Sequence, residues 1–477
     1  MSRTPRSSFF AALPLTIALV VAAILWTTPE QKGDSTFAAD IMHPPARIGE
    51  SAPESDVVGP TLEGEKLCDV TTDPMVESRE PAGEANSADS PTDLLQDIPF
   101  QDTPFQSFPA NFTWGSTRNS NSMFRNRFDR SSGSEGQGAS GIAIARGLQW
   151  LADHQDEDGK WDADGFDKHD PPGDRATGYA SADHDIAVTG LALLAFLGDG
   201  HSITRGSHKA VVIKGLKWLI AQRDPESGFF GGPLGQRFMY DHAIATLAMC
   251  EAYYIDKSVI VRRHAQNAIN FITEARNHSR GWFFEDSTSD SNDTSVIGWM
   301  ISALKLADVA GLKVDKKAYA AAIERLDELT DPVTGRVGYA ERGKPLTAAT
   351  LFCRFLLGQN PEDDDNYMDD HADLLLGTLP DRNRDGLRGD MDHWYHGSYA
   401  MFQMGNEKDG ARADYWNEWR AAMEPAVLGS QRKDGASEGS WDPLGPGGES
   451  SGRVDSTAMM VLCLEVDSRY ARILDVR

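Results

Sequence analysis

At three places in this chain an aspartate and a histidine stand together just ahead of a strongly apolar stretch: Asp183-His184, Asp241-His242 and Asp392-His393, the last followed by His396. Two further apolar stretches open on Asp293-Thr294 and Asp455-Ser456-Thr457. A neutral imidazole held by a carboxylate is how proteins present histidine to zinc, and it also suits acid/base chemistry near neutral pH. The three pairs are spread over some two hundred residues and match no local metal motif. They become a site only if the fold gathers them. Aspartate is also a favoured helix N-cap, which accounts for the acids without assigning them chemistry. Capping leaves the histidines unexplained.

A second pattern is Asp381-Arg-Asn383-Arg-Asp385-Gly386, running on to Asp392. Oxygen ligands at the first, third and fifth positions, glycine at the sixth and a carboxylate at the twelfth are what a calcium loop of the EF-hand type needs. The twelfth residue is Asp where Glu is usual, and a polar turn explains much of the rest. Calcium and zinc are therefore the two cofactors the residue types allow. The acidic run Asp363-Asp364-Asp365 with Asp369-Asp370 reads as a solvated loop and helix start.

The elements that would position these residues are repeats. The stretch Gly147-Leu148-Gln149-Trp150-Leu151 followed by Gln155-Asp156-Glu157-Asp158-Gly159-Lys160-Trp161 returns around Leu216 to Phe230 and Ala268 to Phe283, more weakly around Ile323 to Gly335 and Leu374 to Gly386, and strongly from Ala426 to Trp441. Each of the six units reads helix, Gly-containing turn, helix. The second helices, expected at Ile186 to Leu197, Ile244 to Ile255, Val296 to Ala310, Ala348 to Leu357, His396 to Met404 and Thr457 to Val466, are apolar nearly all round; the first carry charge on one side. One such pair cannot bury its apolar stripe alone, so the units must stack into an inner and an outer ring. In a closed ring the N-termini of the inner helices meet at one end, bringing Asp183, His184, Asp241, His242, Asp293, His393, His396 and Asp455 to one mouth. Aromatic residues along the inner helices, among them Trp299, Phe352, Trp394, Tyr399 and Phe402, could line a cavity that takes an apolar small molecule or lipid.

The 477 residues divide into three parts: an apolar N-terminal segment (1–30), a Ser/Pro-rich acidic linker that reads as disordered (31–138), and the repeats (139–477). Phe9 to Trp26, behind Arg3 and Arg6, reads as a signal anchor or a signal peptide. An anchor would tether the repeats to a membrane on the translocated, periplasmic or extracytoplasmic side; cleavage would make the protein secreted. The net charge of −26 excludes nucleic acid as a partner, since no clustered Lys/Arg is present to neutralise phosphates. Four cysteines are too few for a disulfide framework, and Cys250, Cys353 and Cys463 fall within second helices as small apolar residues.

The turn from Gln155 to Trp161, its copies at Gln222 to Phe230 and Gln431 to Trp441, and the paired-helix period resemble the prenyltransferase and squalene oxidase repeats of the terpenoid cyclase and protein prenyltransferase superfamily. That resemblance implies an all-α fold, an α/α toroid of six inner and six outer helices. It implies, for function, a squalene cyclase-like or prenyltransferase-like barrel that binds an apolar or isoprenoid-like ligand. Asp290-Ser291-Asn292-Asp293-Thr294-Ser295 stands where squalene-hopene cyclases carry Asp-x-Asp-Asp, with Asn292 at the proton-donating position, and an amide cannot protonate an alkene. No Asp-x-Cys segment of the prenyltransferase zinc site is present. Classical activity of either kind is thus not expected. A divergent isoprenoid enzyme, a polysaccharide-cleaving enzyme using a carboxylate and a histidine, and a non-catalytic scaffold remain as alternatives.

Overall fold

A computed structural model describes residues 138–231, 238–275, 294–338, 346–363, 366–383, 389–405 and 412–469. The apolar N-terminal segment and the acidic linker lie outside these residues, as do Asp293 and Asp385. Among the described residues twelve helices alternate between two rings. The outer ones are α1 (Ala139–Asp153), α3 (Lys209–Gln222), α5 (Val259–Glu274), α7 (Lys317–Glu328), α9 (Met368–Leu376) and α11 (Ala413–Ser430). The inner ones are α2 (Asp185–Gly198), α4 (Phe238–Asp256), α6 (Thr294–Ala310), α8 (Leu346–Leu356), α10 (Met391–Met404) and α12 (Gly445–Leu464), which is followed by a single turn, α13 (Val466–Arg469). No strand occurs among the described residues, only four isolated bridges. None of the described helices is long and apolar enough to cross a membrane.

Each inner helix packs on the next, and α12 packs back on α2, so the ring closes. The apolar residues on all sides of α2, from Leu191 to Leu197, are buried, because neighbours on both flanks, the outer ring and the interior all cover them. The protein is an α/α toroid, as the repeats predict.

The repeated turn is the device that joins the units. In four of them the turn is pinned by a bridge, Gln155 to Trp161, Arg223 to Phe230, Thr330 to Val337 and Gln431 to Trp441. Its glycine has positive φ, 106° at Gly159 and 93° at Gly439, and a Cβ there would strike the backbone of the following outer helix, at Lys214 of α3 and at Arg146 of α1 respectively. Gln155 donates across the joint to the carbonyl of Val211, and Gln431 donates to that of Ala143. The last unit therefore docks on the first as each unit docks on its successor.

The interior of the ring is filled below its mouth. Trp299 of α6 stacks on Tyr395 of α10, and Tyr399 one turn further along α10 sits beside Phe352 of α8. All four are buried. At the opposite end Arg469 closes the ring, donating to Glu251 of α4 at 2.6 Å, to Glu465 at 3.3 Å and to the carbonyl of Leu194 in α2 at 2.7 Å. Cys250, Cys353 and Cys463 are buried and free, and burial raises their thiols, that of Cys353 to about 12.

Candidate active site

The inner helices start earlier than their apolar runs suggest, at Phe238 rather than Ile244 in α4 and at Met391 rather than His396 in α10. Polar residues that a sequence places ahead of a helix thus lie within its first turns. Asp390 is the N-cap of α10, accepting from the His393 backbone N–H at 2.9 Å, which frees Asp392 from capping. In α12 a kink at Gly452, with φ 84°, turns the chain so that the inner helix proper runs from Arg453.

At the mouth Tyr240 of α4 lies in the electrostatic field of three carboxylates, Asp241 of α4, Asp392 of α10 and Asp455 of α12. Helices α4 and α10 stand opposite one another in the ring, so interaction between Tyr240 and Asp392 must cross its centre. Burial pushes the Tyr240 phenol well above its usual value, and the negative charges of Asp392, Asp455 and Asp241 push in the same direction. Burial raises the Asp392 carboxyl to about 7, with the neighbouring charge of Asp390 adding to it. Asp455 is raised well above the carboxylate range by burial and then by Asp392. Asp392 and Tyr240 nevertheless keep some accessible surface, whereas Asp241 and Asp455 are buried. Side chains set deep in the fold yet reachable by solvent face an interior space that opens outward.

His184 joins this group, its Nδ1 4.0 Å from Asp241 Oδ1. His396 is close by, its Nδ1 donating to the Asp392 carbonyl at 3.0 Å and its ring set against Tyr395 and Trp299; burial lowers it to about 4, so it is neutral. Asp183, on the turn before α2, is exposed and bonds Ser181.

His242 and His393 are placed elsewhere, and the three imidazoles of the Asp-His pairs do not gather. His242 Nδ1 accepts from the Phe230 backbone N–H at 3.0 Å, and its ring packs on Phe271 of the outer helix α5. The same bond from the turn residue is accepted by Thr189, Thr347 and Thr457 in other units. His242 is thus the repeat's own turn acceptor in a larger form. His393 Nε2 donates to the Thr378 carbonyl at 2.9 Å, beside Trp419 of α11. Burial lowers these imidazoles to about 3 and about 4. Both histidines serve the contact between the rings, and the expectation of zinc on three converging imidazoles loses its geometry.

The calcium pattern is also divided. Asp381 accepts from the Asn383 backbone N–H at 3.0 Å in a local turn and Asn383 is exposed, whereas Asp392 belongs to the ring interior. Carboxylates of Asp162, Asp164 and Asp185 lie within 4.8 Å of one another, but Lys160 holds Asp185 at 2.6 Å and Lys168 holds Asp162 at 2.7 Å. That cluster fixes the first turn of α2 to the loop before it.

Tyr240 and the interior role of Asp392 are what sequence reasoning missed. A tyrosine at the head of an inner helix, two residues before the turn acceptor His242, stands where Asp455 stands before Thr457. That register is the signal.

No family model matches the chain, and neither does any curated protein. Solved structures do resemble it. A family 76 glycoside hydrolase from a bovine Bacteroides thetaiotaomicron strain superposes with a TM-score of 0.51 at 11% identity, covering 70% of this chain and 78% of that one. The GH76A alpha-1,6-mannanase of Salegentibacter sp. HEL1_6 gives 0.49 at 12%, over 69% of this chain and 98% of that one. A type II terpene cyclase from Scytonema gives 0.42 at 13%, over 69% and 97%. At such identities the likeness is one of fold, the α/α toroid.

Proposed function

We propose that the protein is a polysaccharide-cleaving enzyme that hydrolyses glycosidic bonds at the mouth of the ring. The observation that carries this is a pair of carboxylates, Asp392 and Asp455, on adjacent packed inner helices, near enough that the charge of Asp392 raises Asp455, so that the two do not ionise together. Two carboxyl groups in distinct protonation states are the minimum for this reaction. Asp455, held protonated by burial and by the Asp392 charge, gives its proton to the glycosidic oxygen as the bond to the anomeric carbon breaks. Asp392, ionised above about 7, takes a proton from the attacking water. Tyr240 and Asp241 complete the mouth as polar groups able to bind sugar hydroxyls, and His184 would add a further polar contact.

The floor supports the same reading. Trp299, Tyr395, Tyr399 and Phe352 occupy the ring's interior with their own rings, which leaves the site shallow rather than a deep apolar chamber. A shallow polar site suits a chain that lies across it. The fold likeness to a glycoside hydrolase is a precedent for the architecture. Export through the segment Phe9 to Trp26 would place such an enzyme among polysaccharides outside the cytoplasm.

An isoprenoid-like ligand is the second reading, favoured by one feature: a protonated Asp455 close to an aromatic wall could protonate an alkene. Reducing-end release from mannan, xylan, β-glucan and amylose, compared with solvent extraction of the purified protein, separates the two. We expect release by the native protein and none by Asp392→Asn or Asp455→Asn that is folded at the assay temperature. Absence of release from all four, with an isoprenoid in the extract, overturns the proposal.

A further inference from the structure

The seam where the last unit docks on the first carries an open cleft of about 400 Å³, which is within the size range of ligand sites. One wall is the loop ahead of α2, with Asp174, Arg175 and Gly178; the other is the last repeat turn, with Arg432, Asp434 and Asp442, and Arg453 of α12 forms the base. The two walls are tied together. Asp174 Oδ2 accepts from the Ala436 backbone N–H at 3.0 Å, and the Gly178 carbonyl accepts from that of Arg453 at 2.7 Å. A Cβ on Gly178 would touch Pro443 and one on Gly452 would crowd the Gly178 carbonyl, so the walls cannot be drawn closer and the cleft is built into the joint.

Its chemistry is polar and neutral. Three arginines and three aspartates line it: Arg453 pairs with Asp442, Arg432 with Asp434 at 3.4 Å and Asp442 at 3.5 Å, and Asp174 is taken up by the Ala436 backbone N–H. Arg175 is held by Asp167 at 2.8 Å from outside the cleft. A site for an anion would leave its guanidinium groups unmatched, and a cation site its carboxylates. Fixed donors and acceptors without net charge suit a ligand rich in hydroxyls. Beside Gly178, Tyr179 keeps 46% of its surface exposed, one of few large apolar side chains that do, and its ring leans on Phe166 at 5.4 Å. A propped, exposed aromatic ring beside a polar cleft offers a face for the C–H groups of a sugar.

The cleft also adjoins the mouth. Arg453 and Asp455 are two residues apart at the start of the inner part of α12, which on a helix sends them to opposite faces, one to the cleft and the other to the ring interior. We infer that the seam cleft is a second binding site, for uncharged sugar units of a polysaccharide whose other units occupy the mouth. This rests on the reading of the mouth as a glycosidic-bond hydrolase, but it is tested by binding as well as turnover.

The experiment is affinity electrophoresis of the full chain in gels containing mannan, xylan, β-1,3-glucan or amylose, alongside cleavage of the same polymers and of their disaccharides. The variants are the pair Arg432→Ala with Asp434→Ala, whose side chains are 42% and 80% exposed, and, separately, Tyr179→Ala. Retardation in at least one gel is expected, weakened about tenfold in each variant, with KM raised on polymer, and kcat and disaccharide turnover unchanged. Retardation in none of the gels, or retardation equal in native and both variants, overturns the inference. Retardation lost in the variants of a protein that cleaves nothing upholds the cleft and removes the hydrolase instead. Should the paired variant misfold by Tm, Tyr179→Ala decides alone.

Discussion

Trp299 and Tyr395 stack with centroids 5.2 Å apart and planes 16° from parallel, although α8 lies between their helices in the ring. The pair therefore bridges the interior and is the floor on which the carboxylates of the mouth rest. Trp299→Ala removes a fully buried indole and should cost about 3–5 kcal/mol, read as a lowered Tm and denaturation midpoint. If the ring is instead an open apolar chamber, the loss will be slight and a hydrophobic dye will bind the native protein as well as the variant.

Asp392 makes stability depend on pH. Unfolded, its carboxyl ionises near 3.8; folded, it holds its proton to about 7, so between these values the native state binds more protons than the unfolded one. Stability then falls as pH rises through that window, by on the order of a few kcal/mol. Asp392→Asn should lose less Tm than the native protein between pH 5 and pH 8, while kcat drops by about 10²–10⁴. Equal losses for the two proteins would show that the carboxyl is not held this way.

The rate itself should rise with pH to a limb near 7, where Asp392 ionises, and fall again where Asp455, raised by burial, loses its proton. Glycosidic turnover measured from pH 5 to pH 10 checks this. A profile already flat below pH 6 would remove Asp392 from the role of base.

His242 offers a test of the turn-acceptor assignment by isosteric replacement. His242→Thr supplies the oxygen that Thr189 and Thr457 supply to their own turns, and His242→Val has the same shape without it. The valine protein should be less stable than the threonine protein by about 1–3 kcal/mol, the cost of leaving the Phe230 N–H unsatisfied. Neither change should alter metal content.

Arg469→Met leaves Glu251 and Glu465 buried together without their cation, and a loss of about 3–5 kcal/mol at neutral pH is expected. A variant as stable as the native protein at pH 7 would mean that this end of the ring is held by packing alone.

The toroid was legible because its joint is written in side chains that recur: Gln155 and Gln431 make the same pair of bonds, and Trp161 and Trp441 send their indole N–H to the carbonyl of the preceding outer helix in the same way. The mouth was only half legible. Asp241, His184 and Asp455 are at the ring's mouth, whereas in the sequence Asp392 stands only as partner of His393 and end of the calcium pattern, and Tyr240 does not stand out, because a polar side chain facing an interior space interrupts an apolar run as a helix end does. His242 and His393 misled for a different reason. A buried imidazole bonded to backbone and one poised for a metal have the same sequence appearance, and only the partner at 3.0 Å, the Phe230 amide, tells them apart for His242.

Gly439 seats on Arg146 as Gly159 seats on Lys214, and Gln431 reaches Ala143 as Gln155 reaches Val211, so the junction between the last unit and the first is physically no different from that between the first and the second. The order in which the hairpins are threaded is accordingly a matter of genetics rather than of mechanics: a circularly permuted gene, fused across the seam by a peptide and reopened at another inter-unit loop, should yield the same closed ring.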